Sequence, residues 1–357
     1  MKLLPLTDAQ LNIWYHQLID PKATGYNVVQ SIRFKGDLDL GRLAFAQQAV
    51  MDRFDNLRCR FVVLNDEPFQ IIDENVTAPS QSWDVRNLVN PDLAAQKIID
   101  QEIGQVFDLE RDRLCRFGLI QIADDQWEWF WSGHHLVSDG WGSQVAMQYM
   151  AEVYRNPAAA DDSVPATWAQ TVTSALTYRG SDAYFRDKQY WQTTLDGIES
   201  TSTLGKNPIP VHSPHVPAFY SQLLSRQQFD QIIATSRSLG TTPFSVLAAT
   251  YAIYLSRITG NSDICLATPA LGRDKQARLA GGVLSNPVAL RITIQPHNTV
   301  GEIVQQVSSA MRGVLRHSRY PANDIKQIKS TGNSANLLNL GINLQSFSLD
   351  LDYGTVA

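Results

Sequence analysis

Residues 155–170 read RNPAAADDSVPATWAQ, crowded with alanine, aspartate and proline, and mark the start of a linker. A chain of 357 residues is long enough for one large core or for two domains, and this stretch favours two, 1–170 and 171–357. Before the linker, TDAQLNIWYHQLI and PDLAAQKIIDQEIGQVF carry helical spacing. DLGRLAFAQQAVMDRF does too, with Leu40, Leu43, Ala44, Val50, Met51 and Phe54 on one face and Gln47 as a polar interruption. NVVQSIRFKG reads as a strand, and LRCRFVVL with PFQIID as a hairpin. LCRFGLIQIAD with DQWEWFWSG forms a second hairpin around Asp124–Asp125. After the linker come helices over DAYFRDKQYWQTTLDGI, on both sides of a turn at Gly240, and over VGEIVQQVSSAMRGVLRHS. Strands are expected at DICLATPAL, SNPVALRITI and NLLNLGINLQSF. Each half mixes helices with strands, so the expectation is a two-lobed α/β body.

The stretch with the densest chemistry is WSGHHLVSDGWGS, residues 131–143, between a strand and the helix WGSQVAMQYMAEVY. On the strand, Trp127, Trp129 and Trp131 alternate with Glu128 and Phe130. Continuing that pleat puts His135 on the tryptophan side and His134 opposite. Adjacent strand residues do not share a cavity, and no third ligand stands at zinc spacing, so no metal site is expected. One histidine is the working residue and the other packs. Gly140 allows a sharp turn and close backbone approach, and a helix starting near Trp141 aims its positive end at the same place. An imidazole beside such a turn can handle a proton while N–H groups stabilise an oxyanion, which are the parts of acyl transfer.

The rest of the sequence removes other chemistries. There is no G-x-S-x-G, no Walker loop and no G-x-G-x-x-G. Any acyl donor must therefore arrive activated, as a thioester. Cys59, Cys115 and Cys265 sit in apolar contexts and read as reduced and structural, in a cytoplasmic protein. A net charge of −5 without a basic run gives no support for a nucleic-acid partner. No apolar window reaches the length of a membrane span, and the N-terminus is too polar for a signal peptide.

The motifs, in order, resemble the condensation domains of nonribosomal peptide synthetases. LPLTDAQLNIW is similar to the family's opening segment, at Ala9, Gln10 and Trp14. DRFDNLRCRF is similar to its Arg-His-Glu-x-Leu-Arg-x-x-Phe segment at Arg53, Leu57, Arg58 and Phe61, departing at Phe54 and Asp55. HHLVSDGWG carries the whole His-His-x-x-x-Asp-Gly signature. QYWQTTLDG, DICLATPALGR, GGVLSNPVALRI with Asn286, and RHSRYPANDI with His317 and Pro321 resemble the later segments.

The resemblance implies two chloramphenicol-acetyltransferase-like lobes in a V, with a central tunnel. Phosphopantetheine arms of donor and acceptor carrier domains enter it as substrates, and no cofactor is bound directly. His135 is then the catalytic histidine that positions or deprotonates the acceptor amine, and Gly140 joins it in the catalytic site, lining the tunnel. His134 is structural. Asp139 pairs with Arg58, although read from the residues alone Asp139 also suits a helix N-cap. Trp141, Asn286 and Pro287 are implied along the tunnel, although Asn286–Pro287 also suits the end of a turn.

Other residues have plain readings: the tryptophan stripe as core, Arg273 as a solvated loop charge, and His212 and His215 as exposed loop residues. WFWSGHHLVSDGWG and HSRYPANDI resemble the branch that starts siderophore-type assembly lines. The opening segment at Met1 leads to the expectation that no carrier domain precedes, with adenylation and carrier domains downstream. The end at Ala357 leads to that of a fragment truncated at its C-terminus. An epimerisation domain of the same fold and a non-catalytic recruiting module are the alternatives. The glutamate motif of the first is absent, and the intact motif argues against the second.

Overall fold

The computed structural model describes residues 3–160, 167–198, 204, 220–275, 277–328, 337–345 and 351–354. His212 and His215 lie outside the described residues, as does the middle of the expected linker. The chain forms two compact units, and neither is one continuous piece. The first takes residues 1–179, 273–284 and 347–357, and the second takes 180–272 and 285–346. A single cut at 170 therefore does not describe the division. Packing is the reason, since Val283 and Tyr353 are buried in the first unit's core.

The first unit begins with β1 (Leu3–Pro5), α1 (Asp8–Ile19), β2 (Asn27–Lys35) and α2 (Leu40–Arg53). One turn of 3-10 helix at Asp55–Arg58 follows, then β3 (Cys59–Leu64), β4 (Glu67–Ile72), β5 (Ser80–Asp84) and α3 (Pro91–Gly104). Next come β6 (Cys115–Ala123), β7 (Gln126–His134), α4 (Gly140–Arg155) and α5 (Trp168–Tyr178). A three-stranded sheet has the order β1-β4-β3 and a four-stranded sheet the order β2-β7-β6-β5. The β3–β4 hairpin turns at Asn65 (φ 52°) and Asp66 (φ 63°), residue types that tolerate the left-handed conformation this tight turn needs.

The alternation along β7 is real. Trp129 and Trp131 enter the large core with α2 and α4, while Phe130 joins Ile120, Ile122 and Ile99 beneath α3. The tryptophan stripe is core. The buried face of α2 differs from the expected one: it runs through Leu43, Ala46, Gln47, Val50 and Met51, while Leu40 and Ala44 are exposed. Asp39 caps the helix one residue before Leu40, and Gln47 lies inside the stripe instead of interrupting it.

The second unit holds α6 (Asp182–Thr194), α7 (Arg226–Ser238), α8 (Pro243–Thr259), β8 (Asp263–Ala270), β9 (Asn286–Thr293), α9 (Val300–Arg316) and α10 (Ala322–Gln327). β8 and β9 are antiparallel, with Leu266 opposite Leu290. The strand expected over NLLNLGINLQSF is reduced among the described residues to one parallel bridge. Leu340 O accepts from Ala267 N and Ala267 O accepts from Ile342 N, at 2.7 and 2.8 Å. The core gathers Trp191, Leu255, Leu266, Val288, Leu290 and Val307. No helix among the described residues is long and apolar enough to cross a membrane.

Leu266 is fully buried. Leu266→Ala is expected to lower the unfolding free energy by about 2–5 kcal/mol, read by urea denaturation, because the packed neighbours cannot fill the space.

Candidate active site

β7 ends at His134, α4 starts at Gly140, and the turn between them carries His135. Its backbone is tied down residue by residue. His134 N donates to Leu114 O, His135 N to Tyr26 O, and Val137 N to His134 O. Leu136 O accepts from Gln10 Nε2 at 3.0 Å, and Val137 O from Asn56 Nδ2 at 2.7 Å. Asp139 N donates to Gly282 O, and Ser138 bridges Gly282 in parallel.

The hydrogen bonds of the two histidines place the proton on different ring nitrogens. His134 is buried, its Nδ1 accepts from Leu136 N at 3.2 Å, and its Nε2 therefore carries the proton toward Gln17 Oε1 at 3.4 Å. The rings of Tyr26 and Phe107 flank it. Burial, with His135 adjacent, pushes its pKa down to about 3, so it is a neutral packing residue.

His135 is half-buried, with the Tyr26 ring edge-on to it. Its Nδ1 lies 3.1 Å from Ser138 O. A carbonyl only accepts, so Nδ1 carries the proton and Nε2 keeps a lone pair. Burial lowers the pKa, against the Ser138 carbonyl and the Asp139 charge, which raise it. At neutral pH the ring is an uncharged acceptor at Nε2.

Asp139 does two jobs with one carboxylate. Oδ1 accepts from Gly142 N at 2.9 Å, capping α4, and from Arg273 Nη2 at 2.8 Å. Oδ2 accepts from Leu284 N at 3.0 Å. Both readings of Asp139 hold, but the partner implied by the resemblance does not. Arg58 ends the 3-10 turn before β3 and donates from Nη1 to Asp52 O at 3.2 Å. Arg273 holds the place expected of Arg58.

Nor is Arg273 a solvated loop charge. Its side chain is fully buried, and it also donates to the carbonyls of Ala277, Ala280, Gly281 and Gly282. Close backbone approach within the protein is seen at two glycines. Gly140 starts α4, and two residues on a Cβ on Gly142 would lie 3.0 Å from Gly282 O. Gly282 itself has φ +84° and faces the Trp168 ring, which a Cβ would meet at 2.3 Å.

The remaining expected site residues lie as follows. Trp141 is half-buried and donates from its indole to Arg278 O at 3.0 Å. Asn286, in the second unit, commits its whole amide: Nδ2 to Ser318 O and Tyr320 O, and Oδ1 to Ala322 N. Pro287 follows it, half-buried. His317 caps α9, its Nδ1 2.6 Å from Asp187 Oδ1, with Tyr190 stacked on the ring. The three cysteines are free and buried, and burial pushes the Cys115 and Cys265 thiols up to about 12. They offer no thiolate nucleophile. Among the described residues no three His, Cys, Asp or Glu side chains gather as metal ligands.

Two outcomes follow from this geometry. Arg273→Leu strands a buried Asp139 carboxylate, and is expected to cost about 3–5 kcal/mol in urea denaturation. Arg273→Lys does not restore it, because one ammonium cannot reach the carbonyls and the carboxylate together. The second concerns pH. Above the ordinary histidine pKa of 6.5, folded and unfolded His134 are both neutral. Below it, the unfolded chain takes a proton that the folded chain refuses, so stability falls with pH until about 3. His134→Gln should flatten that acid slope by up to about 1.4 kcal/mol per pH unit, read from denaturation curves between these limits.

The Condensation domain family matches residues 1–355. The dimodular nonribosomal peptide synthase of Bacillus subtilis (strain 168) is 26% identical over 358 residues, covering 98% of this chain and 15% of that protein. Enterobactin synthase component F of Escherichia coli (strain K12) is 26% identical over 361 residues, covering 98% and 28%. The chain thus spans less than a third of either relative. Among solved structures, the starter condensation domain of rhizomide synthetase in complex with C8-CoA has a TM-score of 0.89 at 25% identity, over 99% of this chain and 81% of that one. The first condensation domain of the calcium-dependent antibiotic synthetase has a TM-score of 0.84 at 24%, over 100% and 83%, a likeness of fold. In family and in its mixed α/β, chloramphenicol-acetyltransferase-like fold, this chain belongs to the condensation domains.

Proposed function

We propose that the chain forms an amide bond between two substrates held as thioesters on separate carrier domains. The observation that supports this most directly is the His135 tautomer: Nδ1–H is spent on Ser138 O, so Nε2 is an acceptor at the head of the turn. In the reaction, the α-amine on the acceptor carrier attacks the donor thioester carbon. The C–N bond forms, the C–S bond breaks, and the donor's phosphopantetheine thiol leaves. His135 Nε2 accepts the amine N–H and its proton as charge develops on nitrogen. The N-terminus of α4, at Gly140, supplies a positive field for the carbonyl oxygen as it gains charge. Activation lies upstream, which agrees with the lack of any nucleotide-binding motif in the sequence.

The substrates of this reading are the acylated phosphopantetheine arms, and its partners are donor and acceptor carrier domains, with adenylation and carrier domains downstream. Asn286, Pro287 and Trp141 belong to substrate binding. The starter-type branch is the finer assignment, supported by the likeness to the rhizomide starter domain and to enterobactin synthase component F. The place of action is the cytoplasm.

Intact-mass detection of product on the acceptor carrier tests the reading. The chain is mixed with acyl-loaded donor carrier and aminoacyl-loaded acceptor carrier, and His135→Ala is expected to lower product formation by roughly 10²–10⁴-fold. A His135→Ala protein that keeps full turnover removes His135 from the chemistry. Deuterium wash-in at the substrate α-carbon without acyl transfer points instead to epimerisation. Neither activity, with carriers still bound, points to a recruiting module.

A further inference from the structure

Gln10 and Gln70 are 60 residues apart, are buried to 1% and 0% exposure, and face each other as a closed amide pair. Gln10 Nε2 donates to Gln70 Oε1 at 3.0 Å, and Gln70 Nε2 donates back to Gln10 Oε1 at 2.9 Å. The second N–H of Gln10 goes to Leu136 O at 3.0 Å, and that of Gln70 to Pro5 O at 2.9 Å. Gln10 Oε1 also accepts from Thr7 N, and Gln70 Oε1 from Trp168 Nε1 at 2.8 Å. Every donor and acceptor on both amides is used. Reversing either amide would set donor against donor and acceptor against acceptor, so the network locks both orientations.

Leu136 O is where the hydrogen bonds of this lock reach the His135 turn. The same residue's N–H is held by His134 Nδ1, so its two peptide groups are both fixed. Two residues on, Ser138 O receives the His135 Nδ1 proton. From this we infer that Gln10 is a positioning residue for His135, with Gln70 and Trp168 holding the Gln10 amide in register. Without the Gln10 donor, Leu136 O is an unpaired buried acceptor, and the turn relaxes to find another partner. Ser138 O then moves off Nδ1, and the imidazole no longer keeps Nε2 as its acceptor. The inference rests on the proposed reaction only for its kinetic consequence.

The test uses the whole chain with ¹⁵N-labelled histidine and reads the ring nitrogens at neutral pH. In the parent, His135 is expected to show a protonated Nδ1 and an unprotonated Nε2, and in Gln10→Met a mixture of both tautomers. In the acyl-transfer assay, Gln10→Met should lower kcat by up to the order of 10²-fold, as for misplaced catalytic groups, with KM little changed. Ile120→Ala supplies a fold control, since Ile120 is buried in the separate cluster beneath α3. It should lower the melting temperature while leaving kcat and the His135 spectrum alone.

If Gln10→Met is too unstable to assay, Gln10→Glu carries the same test, because it keeps the side-chain volume but puts an acceptor against Leu136 O. An unchanged tautomer and kcat in the Gln10 variants overturns the inference. So does an Ile120→Ala protein that loses as much kcat at matched melting temperature. Absence of acyl transfer by the parent chain sinks the proposed reaction instead, and the imidazole spectrum still decides the role of Gln10.

Discussion

The buried ion pair between Asp139 and Arg273 is the constraint from which the site is assembled. Two charges taken fully out of water are costly, and the pair is tenable only because nearly every remaining valence is met. Arg273 spreads its charge over four carbonyls, and Asp139 receives two backbone N–H groups besides the guanidinium. Such a pair has little freedom to move, because any shift strands a charge. It therefore fixes the start of α4 to the 273–284 segment and, through that segment, sets the place of Gly282. Gly282 O in turn accepts from Asp139 N, and the Gly282 backbone is close enough to Trp168 and Gly142 that no side chain fits.

The His135 turn inherits this rigidity. Its carbonyls and N–H groups end on residues from α1 onward: Gln10 from α1, Tyr26 before β2, Asn56 from the 3-10 turn, Leu114 before β6 and Gly282. A turn whose polar groups are satisfied by so many separate segments has few alternative conformations at comparable free energy. That is the physical basis for two adjacent histidines with different hydrogen-bond partners. His134 is sealed between Gln17, Tyr26 and Phe107, while His135 spends Nδ1 on its own turn, which leaves Nε2 for the proposed reaction.

Periodicity made the β7 strand, its tryptophan core face and the following helix legible, because these follow from the two-residue pleat and local caps. The two-unit plan was legible too, but not its interleaving, which depends on which core buries Val283 and Tyr353. Trp168 shows why a linker reading reaches its limit. Its neighbours are linker-like, yet Thr167 and Gln170 form a capping box, and the indole ends in the site's hydrogen-bond network. Arg273 failed for the same reason as Arg58: a guanidinium's partner 134 residues away leaves no local trace. Gln70 carries no signal, and Gln10 only its place in the opening segment, since a buried glutamine and an exposed one look alike until both are placed.

A neutral imidazole of lowered basicity suits the proposed reaction better than a strong base. The attacking group is an α-amine, whose ordinary pKa of about 7.7–8.0 leaves a useful neutral fraction at neutral pH, so no proton need be removed before attack. What tethered substrates lack is orientation, and a fixed acceptor at Nε2 provides it by holding one N–H. Once the C–N bond forms, the nitrogen becomes cationic and strongly acidic, and even a weak base takes its proton. A more basic residue at this position would itself be protonated for part of the time and would then repel the amine. In the proposed reaction, the burial that costs His135 its basicity would therefore keep it in the one state able to receive the nucleophile, and the rigid turn would set where that nucleophile must stand.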